Sequence, residues 1–305
     1  MTVIGASVKR ASYVLITPIR NEAESIRNLV DTVAAQKTRP VLWVIIDGRS
    51  TDGSYDLASH LADKYNWISV IRQEKFPGRD YCENFSQSIN EALDYAVAKY
   101  IDEAIDFDFV GKIDATIILS EDYFDVLLTE MISDEGLAIT CGISHFMVKG
   151  KEIILKPSKD KFIGFSDTRL YRRDFLQTMG GYPLAYATDT ILLIKAWNRN
   201  WRTKVVESTY FTDSRVGGGK IGVWIGFRRR GHIMHTLNCH PIVVLLNALH
   251  SVIRVPPRYA GLAILEGYFE SVVNKTEKLK DSEITDYMWK RRVWDLLFSL
   301  VRKNQ

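Results

Sequence analysis

Cysteine is scarce in this sequence: Cys82, Cys141 and Cys239 are the three in 305 residues. An odd number at wide spacing argues against a disulfide framework, a Cys-x-x-Cys redox pair or a cysteine zinc site, and a reducing compartment is expected. Apolar runs of about eighteen residues, the length needed to span a bilayer, are missing. Met1 to Lys9 is too poor in apolar residues to serve as a signal peptide. We therefore expect a cytoplasmic protein. Charge of one sign is lacking too, since 40 Lys and Arg stand against 37 Asp and Glu, a net of +3. No nucleic-acid partner is expected, and any anion site must be argued locally.

What is present is an ordinary globular composition, 46% hydrophobic and 25% charged, long enough for one large domain with an appendage. Short apolar runs at Tyr13 to Thr17, Val41 to Ile46, Ile68 to Arg72 and Phe109 to Ile113 read as buried parallel strands. Helical stripes alternate with them: Ile26, Leu29, Val30 and Val33; Ala58, Leu61, Ala62 and Tyr65; Phe85, Ile89, Leu93, Val97 and Tyr100. The pattern predicts an α/β domain, a mostly parallel, Rossmann-like central sheet with helices on both faces. Past Ile113 it becomes mixed. A helix is expected near Asp122 to Ile132, a strand at Leu137 to Cys141, a hairpin to Lys156, and an ordered stretch from Phe162 to Tyr171. A helix near Asp189 and a strand at Lys204 to Glu207 follow, then only helices from Pro241, broken at Pro256-Pro257. We divide the chain into a catalytic domain, 1–235, and a C-terminal helical region, 236–305.

Open parallel sheets bind ligands beyond the carboxyl ends of their strands. There the sequence places Pro18-Ile19-Arg20-Asn21-Glu22, then Asp47-Gly48-Arg49-Ser50-Thr51-Asp52-Gly53, then Asp114-Ala115-Thr116. Each of the first two turns also suits helix capping or plain turn chemistry. Asp114, between a buried strand and an apolar run, has no capping role, and a carboxylate there suits a hard cation such as magnesium or manganese. No Gly-x-Gly-x-x-Gly follows the first strand, which sets aside dinucleotide oxidoreduction.

Tyr13-Val-Leu-Ile-Thr-Pro-Ile-Arg-Asn-Glu22 and Ile45-Ile-Asp-Gly-Arg-Ser-Thr-Asp-Gly-Ser54 resemble the opening of glycosyltransferase family 2, whose members have the GT-A fold. The resemblance continues through Lys112-Ile-Asp-Ala-Thr116, at the place of the family's Asp-x-Asp motif, and through Gly180-Gly-Tyr-Pro183 with Thr188-Asp189. It implies a nucleotide-diphosphate sugar donor, UDP- or GDP-linked, and a glycan or lipid-linked hydroxyl acceptor. Pro18, Arg20, Glu22 and Asp47 would line the base and ribose pocket, and Arg79 would reach toward the nucleotide. Asp114 would hold a divalent metal (Mg2+ or Mn2+) on the diphosphate. Asp189 would be the general base of a single, inverting displacement. The chain departs from the family pattern at Thr116, which stands for the second acid of Asp-x-Asp, at Gly48, which stands for the second aspartate of Asp-Asp-Gly-Ser, and at Thr188, which stands for the glutamate before the base. Those departures keep a sugar-nucleotide-binding pseudoenzyme open as an alternative. A sugar nucleotidyltransferase would need a glycine-rich phosphate loop after the first strand.

Gly217-Gly218-Gly219-Lys220 lacks the ending of a P-loop, which excludes an ATPase reading, and suits a mobile loop. By the same resemblance Arg215 and Lys220 would bring positive charge to the leaving diphosphate. The alternative for Thr188-Asp189 is a helix cap with an acidic first turn. Pro241 to Ile253 is strongly apolar, with Arg228 to Arg230, Arg254 and Arg258 around it. Two readings compete for it: a helix packed on the catalytic domain, or one making peripheral contact with a membrane. The last helix, with Ile284, Tyr287, Met288, Trp294 and Phe298, would dock on the core or on another subunit.

Overall fold

The computed structural model describes residues 11–76, 81–103, 105–148, 151–155, 157, 162, 165, 168–213, 223–254 and 258–301. Among these, nine strands form one sheet. Four are parallel: β1 (Tyr13–Ile19), β2 (Leu42–Asp47), β3 (Ile68–Arg72) and β4 (Phe109–Lys112), in the order β3-β2-β1-β4. The second half joins at β4 and is mixed, as its patterning predicts. Beside β4 run β8 (Arg169–Arg172), β6 (Leu137–Val148), β9 (Arg202–Asp213) and β5 (Ile117–Leu119), with β7 (Lys151–Leu155) forming a hairpin on β6.

The two-residue period of each central strand sorts its side chains onto two cores. Tyr13, Leu15, Trp43 and Ile45 face one layer with α1 (Ile26–Ala34), α2 (Ser54–Ala62) and α4 (Tyr123–Ser133). Val14, Ile16, Val44 and Ile46 face the other, with α3 (Tyr81–Glu103), α5 (Arg173–Thr178) and α6 (Thr188–Asn198). Each of these fully buried aliphatic side chains contributes about 1.5–3 kcal/mol.

Two expectations are corrected. Along α3 the buried line is Ile89, Ala92 and Ala96, while Val97 and Tyr100 are exposed. Each step of four residues advances about 400°, roughly 40° past a full turn, so a run at 85, 89, 93 and 97 drifts around the helix and leaves the core. The strand expected at Lys204 to Glu207 extends from Arg202 to Asp213. A bulge hides it from pattern reading, for Gly142 pairs with Val206 and the next residue, Ile143, with Tyr210, which inserts polar residues 207–209 into an otherwise alternating run. Arg228 to Arg230 lie inside a further helix, α7 (Val223–Thr236), ahead of the helices expected from Pro241.

A third apolar cluster joins the C-terminal helices to the base of α6. It gathers Ile191 and Ile194, Met234 of α7, Val243, Val244 and Ala248 of α8 (Pro241–Arg254), and Ile264 of α9 (Ala260–Val273). The crossing of α7 and α9 is so close that a Cβ at Gly267 would lie 2.0 Å from the Arg228 carbonyl oxygen. Beyond α9 come α10 (Ser282–Asp286), a π-helical turn (Tyr287–Arg291) and α11 (Arg292–Val301). Asp281 caps α10 by accepting from the backbone N–H of Glu283 and Ile284, and it pairs with Lys195 of α6 at 2.8 Å. Of the last stripe, Ile284, Tyr287 and Met288 are buried, whereas Trp294 and Phe298 are exposed. The helix from Pro241 packs by one face only; its other face is open to solvent.

Candidate active site

Where β1 and β2 end, their turns are stitched to each other. Asn21 adopts a left-handed conformation (φ 56°), which asparagine tolerates better than most residues. Its backbone N–H donates to Ser50 Oγ (2.9 Å) while its Oδ1 accepts from the N–H of Thr51 (2.8 Å). The N–H of Glu22 donates to Ser54 Oγ (2.7 Å), and the N–H of Ala23 to Asp52 (3.1 Å). These polar residues therefore serve neither as isolated caps nor as isolated turns, because each turn satisfies the other's backbone.

Above this seam lies a cavity. Four of the expected donor residues are in its lining: Pro18, Arg20, Glu22 and Asp114. Asp47 is placed differently, being buried beneath the turn with both carboxylate oxygens accepting from the Ser50 N–H at 3.2 Å. Its neighbour Gly48 takes its place in the lining. Arg79, Arg215 and Lys220 lie outside the described residues, as does the glycine run. Sequence reasoning missed the opposite wall: Gln73 and Phe76 after β3, and Asn84, Phe85 and Ser88 on the first turns of α3. The exit of the third strand is the same kind of position as the other three and was the signal for it. Gln73 fastens this wall, donating to the carbonyls of Lys75 (2.9 Å) and Asn84 (2.7 Å). Arg49 covers the Phe76 ring at 3.8 Å.

Asp114 stands at the end of β4 with its side chain 40% exposed, and the buried ammonium of Lys112 lies 2.9 Å from its Oδ1. Two residues on, Thr116 donates to Asp213 Oδ1 (3.0 Å), so β9 brings a second carboxylate to the place where the motif has lost one. Oxygen donors of this kind fit a hard divalent cation. Among the described residues no group of three or more His, Cys, Asp or Glu forms a complete metal cage.

Asp189 opens α6. The residue before it in the helix, Thr188, is not a cap, contrary to the alternative drawn from the sequence. The N-cap position is Ala187, held left-handed at φ 56°, and the Thr188 hydroxyl is engaged by Ala185 O (2.9 Å), Pro183 O (3.1 Å) and Ser86 Oγ (2.9 Å). Ser86 belongs to the same turns of α3 that line the cavity, so the helix bearing Asp189 is fixed directly to the cavity wall. The carboxylate itself is 21% exposed. Its Oδ1 accepts from the hydroxyls of Tyr182 (2.9 Å) and Tyr171 (3.0 Å), and Arg169 NH1 sits 3.8 Å away while donating to the Asp189 carbonyl at 2.9 Å. Burial first, and the neighbouring Asp189 charge second, push both phenols above their ordinary range, so they remain protonated donors. Tyr182 is held in turn by Asn90, which both accepts from its N–H (2.7 Å) and donates to its carbonyl (2.8 Å). Gly181, at φ 94°, makes this clamp possible, since a Cβ there would meet Asn90 Oδ1 at 2.7 Å. The sequence carried Tyr182 inside its Gly-Gly-Tyr-Pro motif without showing what the ring was for.

The sequence model of glycosyl transferase family 2 matches residues 14–180, more than half of the chain. The chain belongs to this family. As a family 2 glycosyltransferase it uses a nucleotide sugar, and its fold is of the GT-A type. The mannosyltransferase PcManGT from Pyrobaculum calidifontis, solved with GDP-Man and Mn2+, is 16% identical over 97% of this chain and 88% of its own, with a TM-score of 0.56. S. aureus TarS 1–349 in complex with UDP is 16% identical over 87% of this chain and 92% of its own, with a TM-score of 0.53. The same protein with UDP-GlcNAc matches at 14% identity over 95% and 79%, with a TM-score of 0.51. At such identities the likeness is one of fold. No curated protein sequence is significantly similar to this chain.

Proposed function

We propose that this family 2 enzyme is an inverting transferase that moves a sugar from a UDP or GDP donor to a hydroxyl of a glycan or lipid-linked acceptor. The observation that carries the reading is the mounting of Asp189, a partly exposed carboxylate whose Oδ1 is held by two buried phenols on a helix bolted to the wall of the donor cavity. In the displacement the acceptor oxygen attacks the anomeric carbon and the bond from that carbon to the diphosphate oxygen breaks. The acceptor's proton passes to the Asp189 carboxylate. A single displacement needs no second nucleophile, and inversion follows.

Pro18, Arg20 and Glu22 contact the nucleotide from one wall; Phe76 and Phe85 offer aromatic faces from the other. Asp114 would hold a divalent metal, and Thr116 ties a second carboxylate, Asp213, to the same turn; when bound, such an ion would neutralise charge on the diphosphate. PcManGT was solved with GDP-Man and Mn2+ and TarS with UDP-GlcNAc, which supports a nucleotide sugar with manganese or magnesium as the first donors to try. By the family resemblance Arg79 remains assigned to the nucleotide, and Arg215 and Lys220 to the leaving diphosphate. The catalytic unit is residues 1–235.

The test is a panel of UDP- and GDP-sugars scored for thermal stabilisation and for slow hydrolysis, with and without manganese. Stabilisation with release of nucleoside diphosphate supports the transferase. Stabilisation without turnover of any donor identifies a pure binder, and formation of nucleoside triphosphate with pyrophosphate identifies a nucleotidyltransferase.

A further inference from the structure

Helix α8 has two unlike apolar faces. Val243, Val244 and Ala248 are buried in the cluster that supports α6. Turned away from it, Ile242, Leu245, Leu249 and Ile253 are between 49% and 62% exposed. Their spacing of three, four and four residues sets all four on one stripe of the helix. Single exposed aliphatics are ordinary on a protein surface, but a continuous stripe of four marks a contact surface.

Three further observations say what it contacts. The helix has 14 residues, and no helix among the described residues is long and apolar enough to cross a membrane. Aromatic side chains of amphipathic character stand at both of its ends. Trp289, 45% exposed, lies with its ring 4.7 Å from that of His240, just before the first turn; Tyr259 and Trp224, with rings 5.6 Å apart, lie past the last turn. Such rings are suited to a boundary that is apolar on one side and wet on the other. The third observation is charge. Between Asp213 and Glu266 the sequence has seven Lys and Arg residues and not one Asp or Glu, in a chain whose charges are otherwise nearly balanced. Arg230, exposed, reaches Asn247 of α8 itself at 3.1 Å, and Arg258 is exposed beside Tyr259. A second copy of the chain is the poorer partner, because a two-fold contact would set the exposed Arg230 and Arg258 that flank the stripe against their own copies. An anionic bilayer complements both the charge and the apolar stripe.

We propose that the outer face of α8 seats in the headgroup and acyl boundary of an anionic membrane, the helix lying in the plane of the surface. The same helix shares its inner core with α6, at whose start Asp189 stands, and Arg229 of α7 donates to Cys82 (2.9 Å) on the first turn of α3 beside the donor cavity. A membrane held at α8 is thus coupled by direct packing to both halves of the site. Resting on the transferase reading, the acceptor class that follows is a lipid-linked hydroxyl.

The experiment is vesicle flotation of the full chain with phosphatidylcholine vesicles and with phosphatidylcholine–phosphatidylglycerol vesicles at low salt, comparing wild type with Leu245→Glu/Leu249→Glu. The wild type rises with the anionic vesicles and stays behind with the zwitterionic ones. The double variant, altered only at exposed positions, loses partitioning by about a hundredfold, roughly tenfold for each half-buried leucine, while its melting temperature and its donor-induced stabilisation match wild type. The proposal is overturned by a wild type that stays in solution with anionic vesicles, by a variant that floats equally well, or by a solution dimer that the variant splits into monomers. Flotation needs no donor, so the two readings fail separately. Donor turnover without flotation removes the membrane face and leaves the transferase; flotation without donor binding does the reverse.

Discussion

Lys112 and Arg169 are register partners on the antiparallel strands β4 and β8, and both are almost completely buried. Each cation turns to a different carboxylate: Lys112 to Asp114 at 2.9 Å, Arg169 to Asp189 at 3.8 Å. Two acids far apart in the chain are therefore tied to one rung of a single ladder. Burying such cations is tolerable only with a partner nearby, so the sheet's interior imposes the position of both carboxylates.

Asp189→Asn should lower kcat by about a thousandfold or more, the range for loss of a general base, and leave donor affinity nearly unchanged. Tyr182→Phe keeps the carboxylate and the Tyr171 bond but loosens its aim. There kcat should fall by up to about a hundredfold with KM for the donor almost constant. Steady-state kinetics of transfer, with donor affinity measured separately, checks both. Full activity of the Asp189 variant would remove the base assignment.

Asp114→Asn should weaken donor binding and flatten its response to manganese, read by titrating the ion in a donor-binding assay. It also removes the carboxylate charge beside the buried Lys112 ammonium, and because Asp114 is itself 40% exposed a loss of only about 1 kcal/mol in stability is expected. Thermal melting of the ligand-free protein measures that part independently.

Gly48 is a place where the family acid can be restored. A Cβ there meets nothing closer than 3.5 Å, and the backbone is not left-handed. Gly48→Asp should fold with a stability within about 1 kcal/mol of wild type. Because residue 48 lines the donor cavity, its donor dissociation constant should change in either direction, and calorimetry of donor binding measures it. An unaltered constant would place the nucleotide away from this turn.

The three thiols should react at very different rates. Burial pushes the Cys239 thiol up to about 12, and its Sγ packs 3.7 Å from Met288 Sδ. Cys141 is buried, whereas Cys82 is partly exposed. One fast-labelling thiol, Cys82, is expected with an alkylating reagent, the other two reacting only on unfolding. Peptide mapping of the labelled protein identifies it.

At Asp281 burial alone would raise the carboxyl's pKa, but Lys195 and the N–H groups of Ile284 and Glu283 outweigh it and hold it below the ordinary 3.8. A depressed folded value means that the stabilisation is present above 3.8 and disappears as pH falls through the lower, folded value. Asp281→Asn retains a capping side chain and loses only the charge. The wild type should be more stable at neutral pH by up to about 1 kcal/mol, and the gap in melting temperature should close as pH falls below 3.8.

The sequence by itself determined the parallel half of the sheet, because β1, β2 and β4, buried along nearly their whole length, read as near-continuous apolar runs, and the edge strand β3 keeps enough of the same pattern to be read with them. It also determined that polar and acidic turns such as Pro18 to Glu22 and Asp114 to Thr116 stand at their exits, since chain direction alone sets that side. What only the tertiary structure decided are the relations between distant residues. The clamp of Asn90 on Tyr182, the two phenols on Asp189, the delivery of Asp213 to Thr116 and the burial of Asp47 under its own turn depend on which strand lies beside which. Hydrophobic periodicity records the face a residue occupies and nothing about its neighbour across the sheet. The polar, bulged course of β9 escaped pattern reading for the same reason, as its pairing with β6 is written in backbone hydrogen bonds rather than in side-chain type.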